Sequence, residues 1–320
     1  MFKIPLNKYT RSLYQNINRK IYIIAFASAL ILVIWTLISS LFGKNKEETN
    51  VTKNTSLYKP AETVISGKDI TESVYEEDKN LINTFIDYCN NGNVEEAYNL
   101  LSSDCKEALY RTKEDFINYY YNEVFATKRE YNLQSWISNG NYHTYRVRMI
   151  DDIMSTGDYE NSSNFQDYMT IMKDGNNKYL SIGQYISKEE LKNKTQETDE
   201  LLVSVDSAKT YISYVEYSFS IQNKTDKVIL MDTLENVSET MYLELSNNLK
   251  RTCNSEGLSN ISLRIDPYCT KNIKIKYNKS AGASDNKVKK IHFLNVIKDY
   301  EMYINNKESY NDILELSINL

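Results

Sequence analysis

Ile21 to Phe42, IYIIAFASALILVIWTLISSLF, narrows most sharply what this chain can become, because it runs without a charge or a proline. At ~1.5 Å rise per residue a helix of that length spans roughly 33 Å, enough for the hydrocarbon core of a bilayer. The expectation is a transmembrane helix over residues 21–42. Before it stand Lys3, Lys8, Arg11, Arg19 and Lys20 with no acidic residue, whereas Lys44 and Lys46 beyond it are balanced at once by Glu47 and Glu48. Positive charge stays inside. The tail 1–20 is therefore expected in the cytoplasm and the chain beyond residue 43 outside, in a cell-membrane protein. A cleavable leader has a shorter apolar core of about 7–15 residues followed by a small-x-small site. Here Ala25-Phe26-Ala27 lies inside the apolar run, and no cysteine precedes Cys89 to carry a lipid.

Charge bounds the partners. The chain has 38 Lys+Arg against 43 Asp+Glu, and setting aside the five tail cations leaves 33 against 43 outside the membrane. An acidic surface opposes phosphate neutralisation, so nucleic acid is excluded as a general partner. A hydrophobic content of 41% with 12% aromatic residues is that of a folding chain. The excess of Asn, Lys, Ile and Tyr follows A/T-rich codons, and most of the 27 tyrosines are assigned to that bias.

Beyond the apolar run, residues 43–70 are polar, lack an apolar period and hold Pro60 and Gly67, as a stalk would. Thr71 opens a helix in which Val74, Leu81, Ile82, Phe85, Ile86 and Cys89 recur at helical spacing up to Asn90-Asn91-Gly92. Asn93-Val94-Glu95-Glu96 resembles a capping-box start for a second helix, and Thr112 with Asp115 starts a third through Phe116, Tyr120 and Val124. After Lys128 the period becomes two. Tyr131, Leu133, Ser135 and Ile137 share one strand face, and His143, Tyr145, Val147 and Met149 share another. Phe165–Met172 and Lys178–Ile186 form a hairpin across Asp174-Gly175. This gives an α+β domain over 71–187, with helices on a four-stranded antiparallel sheet. Lys188 to Glu200 is charged and expected to be a short helical linker. From Leu201 to the end short alternating strands, including Ile261-Leu263-Ile265, predict an all-β sandwich over 201–320.

Over residues 71–190 the chain resembles the NTF2-like, or cystatin-like, superfamily, in which N-terminal helices cross a strongly curved sheet to form a cone. The resemblance is carried by Asn83 to Leu101, NTFIDYCNNGNVEEAYNLL, where a helix, an Asn-Gly break and a short second helix follow one another. Membrane-anchored bacterial members, among them scaffold proteins of conjugation and type IV secretion channels, share the order of anchor, stalk and external domain. YVEYSFSIQNKTDKVI and RIDPYCTKNIKIKYN, in the carboxyl-terminal part, resemble extracellular immunoglobulin-like sandwiches of bacterial surface proteins. The likeness implies a fold and transfers no functional residue.

His143 and His292 are the only histidines and fall in different expected domains. A cone enzyme of this type would place His143, Tyr145 and Asp151 or Asp152 inside, but nothing in the sequence pairs them, so no catalytic residue is assigned. No His-x-His, HExxH or Cys-x-x-Cys spacing supports a metal site, and no Gly-rich loop cradles phosphate, so no cofactor is expected. Cys89 and Cys105 lie in one expected domain and Cys253 and Cys269 in the other, leaving two pairings open: one disulfide per domain, or free thiols. Tyr119-Tyr120-Tyr121 on the third helix points in three directions, so one ring packs under the sheet while the others edge a candidate interface. These features favour a non-catalytic scaffold of a conjugation-type cell-envelope machine, with protein partners or copies of itself. The alternative is an external module binding a small ligand or wall polymer, followed by an enzyme built on the cone.

Overall fold

The structure is a computed structural model that describes residues 70–139, 142–152, 163–175, 177–279 and 287–320. The cytoplasmic tail, the apolar run and nearly all of the stalk lie outside the described residues. Among those described, no helix is long and apolar enough to cross a membrane.

Thr71 stands at the amino-terminal end of α1 (Glu72–Asn90). Its buried face is Tyr75, Asp78, Ile82, Phe85, Ile86 and Cys89, spaced three or four apart so that they form one stripe. The helix stops at Gly92, whose φ of +75° is a left-handed conformation that glycine adopts without strain. α2 (Val94–Asn99) follows, though the Asn93 side chain makes no capping hydrogen bond. α3 (Ser103–Leu109) is capped by Ser102, whose hydroxyl accepts from the Cys105 amide. α4 (Lys113–Phe116) starts on the expected reciprocal cap between Thr112 and Asp115. It continues through one turn of π-helix, Ile117–Tyr121, into α5 (Asn122–Val124).

Four antiparallel strands pair in chain order: β1 (Arg129–Asn139), β2 (Tyr142–Asp151), β3 (Asn164–Asp174) and β4 (Asn177–Ser181). The expected face of β2 is the inward one, and Tyr145, Val147 and Met149 pack with Ile82, Phe85, Phe116 and Tyr120 in one core. In β1 the expected face breaks. The register slips between Ser135 and Ile137, a bulge at Trp136, so Ile137 leaves the face of Leu133 and joins Ile186 and Ile212 in a separate small cluster.

The remaining strands run antiparallel in a second sheet: β5 (Tyr185–Glu197), β6 (Leu201–Tyr211), β7 (Tyr214–Asn223), β8 (Ile229–Leu230), β9 (Met241–Leu245), β10 (Lys250–Asn254), β11 (Arg264–Ile265), β12 (Thr270–Asn278), β13 (Val288–Ile297) and β14 (Ile313–Asn319). Their order is β11-β8-β13-β9-β10-β12-β7-β6-β5, with β14 on β13. Lys250 to Thr252 pair with β9 whereas Cys253 and Asn254 pair with β12, so β10 passes the chain of hydrogen bonds around a corner. The strands enclose Phe219, Ile221, Met241, Leu243, Ile275, Phe293 and Leu316. Three short helices interrupt them: α6 (Val237–Thr240), α7 (Asn260–Leu263) and α8 (Tyr300–Asn305).

Two further segments differ from expectation. Residues 188–197 are not helical. They belong to β5, paired along β6, and Leu191 is buried against the second core. An edge strand leaves one side of its backbone unpaired and tolerates this density of charge, so pairing overrides a helix-prone composition. Ile261, Leu263 and Ile265 are not one strand. Ser259 and Ser262 cap each other to start α7, which buries Leu263 and leaves Ile261 exposed, and only Arg264–Ile265 pairs with β8. The class is mixed, mostly antiparallel β, with the helices of residues 72–124 before the first strand and three short ones between later strands.

Candidate functional site

Asp78 sits on the apolar stripe of α1 and is fully buried. Its Oδ2 meets His143 Nδ1 at 2.7 Å and accepts from the Tyr145 hydroxyl at 2.8 Å, while its Oδ1 accepts from Lys178 Nζ at 2.6 Å. The period of two puts His143 and Tyr145 on the inward face of β2, and Lys178 reaches in from β4, where it also pairs with Glu77 at 2.8 Å. Burial pushes the Asp78 carboxyl up. The bonds from His143, Lys178 and Tyr145 outweigh it, and its pKa ends below the ordinary carboxylate value. Burial and the Asp78 charge push the Tyr145 hydroxyl far up. An imidazole oriented by a buried carboxylate is what a general base requires. Here the same carboxylate also holds a phenol and an ammonium, so one residue of α1 is tied to two strands.

The tyrosine run behaves as its helical placement predicts. Tyr120 is buried and donates to Asp167 Oδ2 at 2.8 Å, while Tyr119 is 70% exposed. Tyr121 is half-buried and stacks on Phe125, with ring centroids 6.1 Å apart. Asp167 is buried on β3 and also accepts from the amides of Gly183 at 3.1 Å and Tyr168 at 2.7 Å. Burial raises its pKa against these bonds, and burial with the Asp167 charge raises that of Tyr120. Gly183 is required there. Its φ is +64°, and a Cβ would lie 2.9 Å from Leu109 Cδ1.

Asp151 closes the far end of β2, where Arg129 Nη1 reaches its Oδ1 at 2.6 Å and the Ser163 amide donates to its Oδ2 at 2.5 Å. The Thr127 hydroxyl also donates to Asp151, and this bond heads the causes that lower its pKa. Arg129 in turn donates to the Val124 carbonyl. The pair joins the end of the helical layer to the first two strands. Asp152 follows the strand, its amide donating to the Lys128 carbonyl. His292 lies on β13 in the second core region, between Glu244 at 3.1 Å and Ser317 at 2.8 Å, and is not brought near His143.

The candidate disulfides are not formed, and all four cysteines are free. Cys253 lies opposite Tyr277, whereas Cys269 precedes that residue by eight positions along β12 and its approach. At ~3.3 Å per residue the separation is roughly 26 Å, against about 4–7 Å between the Cα atoms of a disulfide. Cys89 and Cys105 are each buried in the first core, where Cys105 Sγ approaches the Ile182 carbonyl at 3.9 Å. Burial pushes the Cys105 and Cys253 thiols up to about 12 and the Cys89 thiol higher still.

Sequence reasoning found His143, Tyr145 and Asp151 but missed Asp78, Asp167, Lys178 and Arg129. Two of these carried a usable signal. Asp78 interrupts an apolar stripe at exact helical spacing, and Asp167 occupies an inward position of β3 between Phe165 and Met169; a charge in either place demands a partner. Lys178 and Arg129 carried none, because their long side chains reach inward from strand ends. Among the described residues, no group of three or more His, Cys, Asp or Glu side chains is placed to hold a metal ion. No family model matches the chain, and no curated protein or solved structure matches it either.

Proposed function

We propose that this is a single-pass membrane protein whose external part is a non-catalytic scaffold, an NTF2-like domain followed by an immunoglobulin-like sandwich, in a conjugation-type cell-envelope machine. The observation that carries the proposal is Tyr119, an aromatic ring 70% exposed on a π turn whose next residue, Tyr120, is anchored to buried Asp167. A rigidly mounted, exposed aromatic is the side chain that anchors protein interfaces. The acid–base candidates support the same reading from the other side. His143 Nδ1 is held by Asp78 of α1 and the Asp151 carboxylate by Arg129 of β1, so these atoms already have structural work. The partners on this proposal are other membrane proteins of the machine or copies of the chain, held in the bilayer plane by the segment 21–42.

The test compares Tyr119→Ala with His143→Gln in the native membrane, following both recovery of the intact complex and biological output. Loss of the complex in the first with folding unchanged is expected, as up to ~2 kcal/mol or more of anchor contact disappears. Loss of output in His143→Gln with the complex and fold intact would move the assignment to a ligand-binding or catalytic cone. Relaxase, coupling-ATPase and channel genes beside this one would favour the proposed setting.

A further inference from the structure

The face of the four-stranded sheet turned away from the helices carries a groove of 360 Å³ lined by Asn132, Leu133, Gln134, Arg146 and Arg148. Register explains the convergence. Asn132 pairs with Arg148 and Gln134 with Arg146 across β1 and β2, and Gln166 and Tyr168 flank the two arginines on β3. Alternation sends all six side chains to one face. The cations are thus neighbours at i and i+2, set among amides and a phenol.

Neither arginine has a carboxylate partner among the described residues. Arg146 donates to Gln134 Oε1, a neutral acceptor, and Arg148 is exposed. On that face Glu130 stands opposite Ile150 rather than either arginine. On a chain with an acidic balance, two unpaired guanidinium groups in one concavity form a local positive site.

The donors there also outnumber the acceptors. The Arg146 guanidinium lies 4.7 Å from the centre of the Trp136 ring, and both the Arg146 Nε and the Trp136 indole nitrogen are shut off from solvent without a hydrogen-bond partner among the described residues. Buried donors are nearly always satisfied, so two together at the wall of a basic groove mark a place where acceptors are lacking. The bulge at Trp136 swings that ring beside Arg146, and bulges commonly re-aim a side chain where a ligand binds.

We infer that this groove binds an organic phosphate, its oxygens received by Arg146 and Arg148 and the amides of Asn132 and Gln134, its remainder lying along the groove. Guanidinium forks match phosphate oxygens in pairs. Four donor-bearing side chains offer more hydrogen bonds than the two oxygens of a carboxylate accept. A volume of 360 Å³ is also larger than one phosphate needs, which leaves room for an attached polyol or similar group. The site is on the opposite face of the sheet from the Asp78 and Asp167 clusters and does not depend on the scaffold proposal.

The chain has two tryptophans, Trp35 and Trp136. In the full-length Trp35→Phe chain Trp136 is therefore the sole indole, and its emission reports directly on the groove. The chain is reconstituted in zwitterionic lipid and titrated with glycerol 3-phosphate, with inorganic phosphate and, as a carboxylate control, with acetate. In a parallel arm phosphatidylglycerol replaces part of the zwitterionic lipid. A saturable change with glycerol 3-phosphate, weaker with inorganic phosphate and absent with acetate, is expected for a soluble ligand. A change in the phosphatidylglycerol arm alone assigns the same chemistry to a lipid headgroup. Either response must weaken at least tenfold in Arg148→Gln, an exposed position whose replacement leaves the melting curve in place. Absence of a saturable change in both arms, an equal response to acetate, or a response that Arg148→Gln leaves intact would overturn the assignment.

Discussion

Replacing Asp78 by Ala tests whether one buried carboxylate ties the first helix to the sheet. The cost can be built from its three partners. The buried Tyr145 hydroxyl loses its acceptor, which costs about 1–3 kcal/mol. The side chains of Lys178 and His143 are 20% and 22% exposed, so each rehydrates, and Lys178 keeps Glu77; these two together add about 1–2 kcal/mol. The sum is about 2–5 kcal/mol, a fall in Tm of roughly 5–20 °C for a folded region of this size. Thermal unfolding of the full chain in mild detergent, followed by far-ultraviolet circular dichroism, reads it. The pH dependence has a definite sign. The folded Asp78 pKa lies below its unfolded value of about 3.9, so the stabilisation is complete above that pH and is lost as pH falls through the folded pKa. The gap between wild type and variant should therefore narrow in acid. A gap under ~0.5 kcal/mol at pH 7, or one that widens toward pH 3, would refute the account of Asp78 as a clamp.

Tyr120→Phe removes one of the donors to Asp167 while keeping the ring stacked on Phe116, so a loss of about 1–2 kcal/mol is expected in the same melting experiment; an unchanged Tm would deny that bond its weight. With native chain and a thiol reagent, Cys269 should react at once and Cys89, Cys105 and Cys253 only on unfolding, since they are buried and their pKa values are raised. Fewer than four thiols after denaturation without reductant would reveal a disulfide. A reporter fused after Leu320 should be active only outside the membrane, because the five cations before the apolar run carry no acidic counterweight. Activity of a cytoplasm-only reporter there would reverse the topology.

Local rules carried the first half of the described fold further than the second. The α1 stripe from Ile82 to Cys89, the Thr112–Asp115 cap and the inward face of β2 follow from periods of 3.6 and 2 with short-range hydrogen bonds and are where the sequence puts them. The start of α1, by contrast, buries Tyr75 and Asp78 rather than Val74. Ile137 was misplaced because a bulge is one inserted residue that no period announces. Residues 188–197 were misread because their strand state comes from β6, a partner found only in three dimensions. The polar clusters divide the same way. The tyrosine run showed itself through helix geometry, whereas the meeting of Asp78, His143, Tyr145 and Lys178 needs a helix and two strands brought together from distant parts of the chain.

The short crossing from β4 to β5 has a mechanical consequence. Only Ile182, Gly183 and Gln184 separate the two strands; Ile182 is buried, the Gly183 amide is bound to Asp167, and the Gln184 carbonyl receives the Ile212 amide at 3.0 Å. The Tyr185 ring then lies edge-on to Tyr211, centroids 5.5 Å apart. There is no slack to take up. A pull entering at the helical end passes through this crossing directly into β5, at the end of its ladder where Tyr185 is paired with Tyr211. Load on one sheet is therefore handed to the other across three bonded residues, with little of the give of beads on a thread.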